Sequence, residues 1–236
     1  MWAVVPIKDF ANAKERLSQI LSPQERHSLA RAMAEDVLRS LLGVSELDGI
    51  AVVTRDAEAQ ALCAELGIRV LIEAENQGQT AAVMVASWTL KDEDVESVLT
   101  IPGDVPLVLP QDIRPVLAAH GESPAMTIVP ARDYQGSNCV VLSPPGFVSL
   151  RFGDNSFYPH LDAARQTGIE PLTVESENLG LDIDTPDDLE ELVHYPVRTR
   201  AQEVLVALGA GHRFGQIPND RTPEPERPFV VAGDAE

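Results

Sequence analysis

Five short apolar runs recur along this chain, and helix-length stretches separate them. They are AVVPI (3–7), IAVVT (50–54), IRVLI (68–72), SVLTI (97–101) and AMTIV (125–129). Runs this short, apolar on consecutive positions, read as strands covered on both faces. The stretches between them carry helix signals. Ser22-Pro23-Gln24-Glu25 supplies an N-cap, a proline at the first helical position and a capping-box glutamate; Leu29, Met33, Val37, Leu38 and Leu41 follow at helical spacing. Asp56 caps a helix that turns Leu62 and Leu66 inward, a helix is expected over about 79–90, and Pro110 opens another. Strands alternating with helices imply βαβ units with right-handed crossovers. The expectation is one α/β domain with a mainly parallel sheet and helices on both faces. In such a sheet, ligand sites lie outside the carboxyl ends of the strands.

From about 131 to 185 the alternation loosens into CVVL, a Pro-Pro-Gly turn, a Gly-rich loop, a helix near 157–166 and PLTV. This segment reads as an insertion that builds a second half-site beside the first. Thr185-Pro186-Asp187-Asp188 is another helix start, and a last amphipathic helix is expected after Pro196, ending near Leu208. The domain is thus taken as 1–208. Residues 209–236 form a Gly-, Pro- and charge-rich tail too polar to bury much surface, and it is expected to be flexible or packed on a partner.

Net charge is −19, from 37 acidic and 18 basic residues, which argues against nucleic acid as a partner. No apolar run reaches membrane-spanning length, and the N-terminus lacks the basic-then-apolar pattern of a signal peptide. Cys63 and Cys139 sit far apart in apolar stretches and read as reduced core thiols, so a cytoplasmic protein is expected. Cations are scarce, yet two of the three lysines, Lys8 and Lys14, fall in the first fourteen residues with Arg16 just after.

That concentration lies where the chain leaves its first strand, at Pro6-Ile7-Lys8 and Ala13-Lys14-Glu15-Arg16, a natural place for phosphates. Neither the GxxxxGK(S/T) of a P-loop nor GxGxxG is present, so phosphate would be met by side-chain cations. Asp104 follows the fourth strand on Pro102-Gly103, either as a Mg²⁺ ligand or as an ordinary strand-ending turn. Asp182 and Asp184 alternate in an extended segment and so point the same way, an arrangement that calls for a cation between them. Their bland reading is an acidic loop feeding a helix cap. Gly78-Gln79-Thr80-Ala81 at a helix start suits a base and ribose. Gly136-Ser137-Asn138 and Arg151-Phe152-Gly153-Asp154-Asn155-Ser156 offer N–H groups and hydroxyls to a phosphate, although Ser156 equally suits a plain N-cap. Asp-x-Asp-Thr also evokes haloacid-dehalogenase-like phosphatases, but at residue 182 it leaves too little chain for their core.

In order along the chain, VPIKDFANAKERL, GQTAAV, PGDVPL, GSN, RFGDNSFYPHL and LDIDTPDDLEEL resemble the CofC/FbiD family, the guanylyltransferases of coenzyme F420 biosynthesis, over residues 1 to about 195. The resemblance implies a GT-A-type, Rossmann-like nucleotidyltransferase fold and transfer of GMP from GTP to a phosphorylated three-carbon acid, namely 2-phospho-L-lactate, phosphoenolpyruvate or 3-phospho-D-glycerate. It implies Mg²⁺ on Asp104, Asp182 and Asp184, and Lys8, Lys14 and Arg16 on the triphosphate. Pro6, Gly78, Gln79, Thr80, Ala81 and Gly103 would face the nucleotide, and Ser137, Asn138, Gly153 and Ser156 the acceptor. Thr80 stands where many relatives have Asn, and the tail has no family counterpart. Two further partners stay open: a second copy in a homodimer, and the next enzyme of the pathway. Sugar-phosphate and molybdenum-cofactor nucleotidyltransferases share the fold but usually show a GxGxR loop, missing here. A non-catalytic nucleotide-binding module is the reading from another class, and it turns on whether the three aspartates meet in space.

Overall fold

The computed structural model describes residues 1–72, 78–153, 155–196 and 198–210. Asp154 and the tail from 211 onward, both subjects of expectations above, lie outside the described residues. Seven strands form one sheet: β1 (Trp2–Pro6), β2 (Gly49–Thr54), β3 (Arg69–Ile72), β4 (Val98–Thr100), β5 (Ala125–Pro130), β6 (Ser137–Ser143) and β7 (Leu172–Thr173). Their order is β3-β2-β1-β4-β6-β5-β7. Strands β3, β2, β1 and β4 run parallel, as do β5 and β7. The helices are α1 (Pro23–Leu42), α2 (Ala57–Leu66), α3 (Gln79–Asp92), α4 (Pro110–Ala119), α5 (Phe157–Gln166), α6 (Glu177–Gly180), α7 (Pro186–His194) and α8 (Arg200–Ala207).

Strand alternation divides the buried residues into two clusters, one on each face. Ala3, Val5, Val52 and Leu99 pack under α1, α2, α4, α7 and α8, through Leu29, Met33, Leu62, Ile113, Leu189 and Leu205. Val4, Val53, Val98 and Val140 face α3 and α5, through Val83, Leu90, Phe157 and Leu161. The mainly parallel sheet with helices on both faces is therefore observed, and the helix starts behave as expected. Ser22 and Thr185 both close capping boxes, and the Asp56 side chain accepts from two amides of α2. Ala210 is fully buried against the first cluster, so ordered packing continues past Leu208.

One expectation needs correction. The stretch 131–185 is not an insertion separate from the sheet, because it contributes β6, which sits between β4 and β5 and runs antiparallel to both. Only six residues join β5 to β6, too few for a crossover, so the chain must reverse as a hairpin. The Ala131 amide closes it on the Gly136 carbonyl at 2.9 Å. Every residue of β6 is buried, which explains the unbroken apolar run CVVL.

Candidate active site

A cavity of about 820 Å³ opens beyond the carboxyl ends of β1 and β4, bounded on its far side by the β5–β6 hairpin and the loop before α5. Pro6, Lys8, Lys14 and Arg16 line it from the N-terminal segment, Gly103 and Asp104 from the turn after β4, and Asp182 and Asp184 from the strand-like segment before α7. Ser137, Asn138, Gly153 and Ser156 line the opposite side.

The N-terminal segment is held by its neighbours rather than by its own regular structure. Phe10 is buried and its amide donates to Asp56 at 3.0 Å, so the carboxylate that caps α2 also anchors this loop. Two 3₁₀ turns, Phe10–Asn12 and Glu15–Leu17, flank Lys14, which adopts left-handed backbone angles (φ 56°, ψ 43°). A non-glycine residue there costs on the order of 1 kcal/mol. The compensation is at the end of its side chain, where Nζ donates to Asp104 Oδ2 and Asp184 Oδ1, both at 2.6 Å.

Asp182 and Asp184 flank Ile183, which is fully buried and whose amide donates to the Asp104 carbonyl at 3.0 Å. With Ile183 facing the core, both carboxylates turn outward into the cavity, as the alternation implied. Burial, then the charge of Asp104, pushes the Asp182 carboxyl up to about 6, although Asn138 Nδ2 donates to it at 3.0 Å. Burial would raise Asp184 as well, but Lys14, with Arg16 and Lys8, holds it below the ordinary carboxylate range. Lys14 is itself buried, which disfavours its charge, yet the two carboxylates keep its pKa above that of a free lysine.

Lys14 lines the cavity with its ammonium in the gap between two carboxylates, a partnership the sequence did not suggest. Among the described residues, no three acidic, His or Cys groups close into a metal-ligand cage. What exists is a two-carboxylate cation seat, with Asp182 beside it on Asn138. Its donors are hard oxygens already gathered about one cation, and Mg²⁺ takes one or two carboxylates together with phosphate oxygens, so the donor set fits that ion.

The helix start at 78 meets the cavity at one position. Gln79 lines the cavity, whereas Gly78, Thr80 and Ala81 are not among its lining residues. The Thr80 hydroxyl accepts from the Phe152 amide at 2.9 Å and faces the Phe152 carbonyl at 3.3 Å. It therefore ties α3 to the loop that carries Gly153. Gly153 has φ +132° with open space around it, so backbone conformation, not crowding, requires glycine there. At Gly103 an added Cβ would meet only ordinary contacts, Ile7 being nearest at 3.6 Å. Sequence reasoning missed two contributors. Ala30, Met33 and Ala34 bring part of α1 to the cavity wall, hidden within an ordinary amphipathic pattern. His160 on α5 stands behind Ser137, its Nδ1 3.0 Å from the serine hydroxyl, and a lone histidine on an apolar helix face gave no signal.

An α/β sheet of this order, with a cation-and-carboxylate cavity at its parallel strand ends, is a fold that nucleotidyltransferases share. The fold superposes on a nucleotidyl transferase from Methanothermobacter thermautotrophicus with a TM-score of 0.62 at 19% identity, covering 81% of this chain and 94% of that one. It also superposes on a cytidylyltransferase from Leptospira borgpetersenii, with a TM-score of 0.58 at 12% identity over 95% and 99% of the two chains. At such identities the likeness concerns the fold. The family follows from sequence: this chain belongs to the CofC-like guanylyl transferases, whose family model matches residues 1–223. It is 32% identical over 206 residues to the 2-phospho-L-lactate guanylyltransferase of Methanothermobacter thermautotrophicus, covering 87% of this chain and 90% of that protein. It is 34% identical over 195 residues to the phosphoenolpyruvate guanylyltransferase of Rubrobacter xylanophilus, covering 81% and 93%. Among the described residues no helix is long and apolar enough to cross a membrane.

Proposed function

We propose that this enzyme transfers GMP from GTP to 2-phospho-L-lactate or phosphoenolpyruvate, with 3-phospho-D-glycerate as a third candidate acceptor, and releases pyrophosphate, as a step of coenzyme F420 biosynthesis. Family membership supports the GMP donor, and the names of the two relatives support the acceptor class. The observation that carries the reading is one cavity shared by two unlike halves. Lys8, Arg16 and the carboxylate seat line one side, and Ser137, Gly153 and Ser156 the other.

The chemistry asks little of protein nucleophiles. An oxygen of the acceptor's phosphate attacks the α-phosphorus of GTP in line, a new P–O bond forms, and the bond to the β-phosphate bridge breaks. Pyrophosphate takes the leaving charge. A phosphate dianion is already nucleophilic, so no general base is needed, and the chain's work is to bring two anions together. The residues at hand agree. The thiols of Cys63 and Cys139 are both buried, which raises them and makes them poor nucleophiles, and burial presses His160 down to about 4. Lys8 and Arg16 would meet the triphosphate, while Ser137 and Ser156 would donate to the acceptor's phosphate. Mg²⁺ is the cation we propose for the seat of Asp104 and Asp184, with Asp182 adjacent. When bound it would neutralise phosphate charge and polarise the reacting phosphorus.

The test is pyrophosphate release with each of GTP, ATP, CTP and UTP against each phospho-acid, with and without magnesium. GTP with a three-carbon phospho-acid should lead, and robust transfer to a hexose phosphate would move the chain to another branch of the fold. The same reading extends to a cytoplasmic enzyme, a homodimer, and delivery of the product to the next enzyme of the pathway. Light scattering and co-purification test the last two.

A further inference from the structure

Resting on the function proposed above, we infer that His160 is a positioning residue: through one fixed tautomer it makes Ser137 a hydrogen-bond donor toward the acceptor's phosphate and pins the loop before α5. The argument begins with a group whose role has no ambiguity. The backbone N–H of Arg151 can only donate, and it lies 2.9 Å from His160 Nε2. Nε2 must therefore be the unprotonated ring nitrogen, and the ring's proton sits on Nδ1. Nδ1 is 3.0 Å from Ser137 Oγ, so the imidazole donates and the serine oxygen accepts. The serine's own proton is then directed away from the ring. Among the described residues the serine's other hydrogen-bond neighbour is Ser156, whose hydroxyl donates to it at a long 3.5 Å, and both serines line the cavity. An anionic oxygen in the cavity is the acceptor this proton suits.

Burial keeps the arrangement in one state. His160 is 1% exposed and packs edge-on against Phe152. A charged ring would present an Nε2 proton to the Arg151 amide, donor against donor, and desolvation opposes the charge as well. The same ring bond holds the first of two consecutive amides in this loop; Thr80 holds the second, at Phe152. Gly153 and Ser156 thus inherit their positions from His160 and Thr80. Burial asks that both ring nitrogens be paired, and the partners they find decide what the ring does. This one spans β6 and the loop with two opposite ring atoms.

Two conservative variants separate the two bonds. His160→Gln keeps an acceptor for the Arg151 amide and loses the donor to Ser137, whereas His160→Asn keeps the donor and loses the acceptor. Steady-state kinetics should show His160→Gln raising KM for the phospho-acid about tenfold, the usual worth of a lost hydrogen bond to a charged group, with KM for GTP and kcat within about twofold. His160→Asn should restore the part of that loss owed to Ser137 and keep a several-fold rise in the same KM from the released Arg151 amide. The double variant His160→Gln/Ser137→Ala should bind the phospho-acid no more weakly than Ser137→Ala alone, because the histidine acts through the serine. Additive losses, or an equal rise in KM for GTP, would overturn the inference. Nitrogen-15 NMR of the imidazole in the wild-type protein gives a readout independent of turnover and of variant folding. A neutral Nδ1–H tautomer at pH 7 is expected, and an Nε2–H tautomer overturns the inference. If the wild type turns over no phospho-acid at all, the proposed function fails and the role given to Ser137 fails with it. If it does and the variants behave additively, this inference fails alone.

Discussion

Replacing Lys14 with methionine removes an ammonium and keeps most of the side chain's apolar stem, so it isolates the charge in the carboxylate seat. In the wild type the Lys14 side chain is 8% exposed and its ammonium donates at 2.6 Å to Asp104 and Asp184, whose side chains are 30% and 40% exposed. Breaking a fully buried pair costs about 3–5 kcal/mol. Water reaches both aspartates here, so the expected loss is smaller, about 2–3 kcal/mol. Arg16, 3.7 Å from Asp184 and 65% exposed, compensates weakly. In a domain of this size 1 kcal/mol moves the melting temperature by about 2–4 °C, so Lys14→Met in EDTA should melt roughly 5–10 °C below the wild type. The left-handed backbone at residue 14 is unchanged by the substitution and does not enter the difference. A divalent ion entering the vacated seat stabilises the folded state by mass action. Magnesium should therefore raise the melting temperature of Lys14→Met by more than it raises that of the wild type. Differential scanning fluorimetry in EDTA and in a magnesium series measures both. Equal melting temperatures in EDTA, or equal magnesium shifts, would refute the idea that Lys14 and a metal compete for one seat.

Further outcomes follow from the same geometry. Asp36→Ala leaves the Arg200 and Ala201 amides, each 2.9 Å from the lost carboxylate, unpaired at the start of α8. A loss of about 1–3 kcal/mol in urea titration is expected, and a loss below the error of the titration would show that α8 docks on α1 without this cap. Thr80→Val removes the acceptor for the Phe152 amide, so KM for the phospho-acid should rise several-fold while nucleotide KM holds; a change confined to nucleotide KM would return Thr80 to the base site. Burial depresses His160 from 6.5 to about 4, so between those values the unfolded state binds more protons. The histidine's contribution is complete above pH 6.5 and lost as pH falls toward 4. Asp36, raised by burial to about 6, acts in the opposite direction as pH falls from about 6 toward its unfolded value, and the comparison must remove it. Wild type minus His160→Gln does so. That difference should shrink by roughly 3 kcal/mol on acidification from pH 6.5 to 4, and a pH-independent difference would contradict a buried neutral ring.

Much of this architecture was legible because its elements are local. Apolar runs, N-caps and proline starts marked most strands and helices, and the i, i+2 spacing of Asp182 and Asp184 turned both to one side. Pairing was not legible. CVVL reads as a buried strand wherever it goes, and only the short 131–136 connection forces it to run antiparallel within the sheet. The cavity was legible to the extent that charged and small residues at strand ends advertise it. The bond Thr80 makes was not legible because a helix start carries no record of what faces it, and its partner Phe152 lies 72 residues away. The carboxylate partners of Lys14 were not legible because charge alone does not say which anion it meets first, Asp104 or a substrate. His160 gave no signal because its role depends on a backbone amide and a hydroxyl that converge only after folding.

The central claim is that the two halves of the cavity join a GTP α-phosphorus to an acceptor phosphate. The most direct measurement uses phosphoenolpyruvate or 2-phospho-L-lactate carrying oxygen-18 in its phosphate group, incubated with GTP, magnesium and the enzyme, with products read by mass spectrometry. The account predicts a diphosphate-linked GMP adduct that retains all the acceptor's label, formed together with equimolar unlabelled pyrophosphate. Label in the pyrophosphate, or GTP consumed with no such adduct, would contradict it.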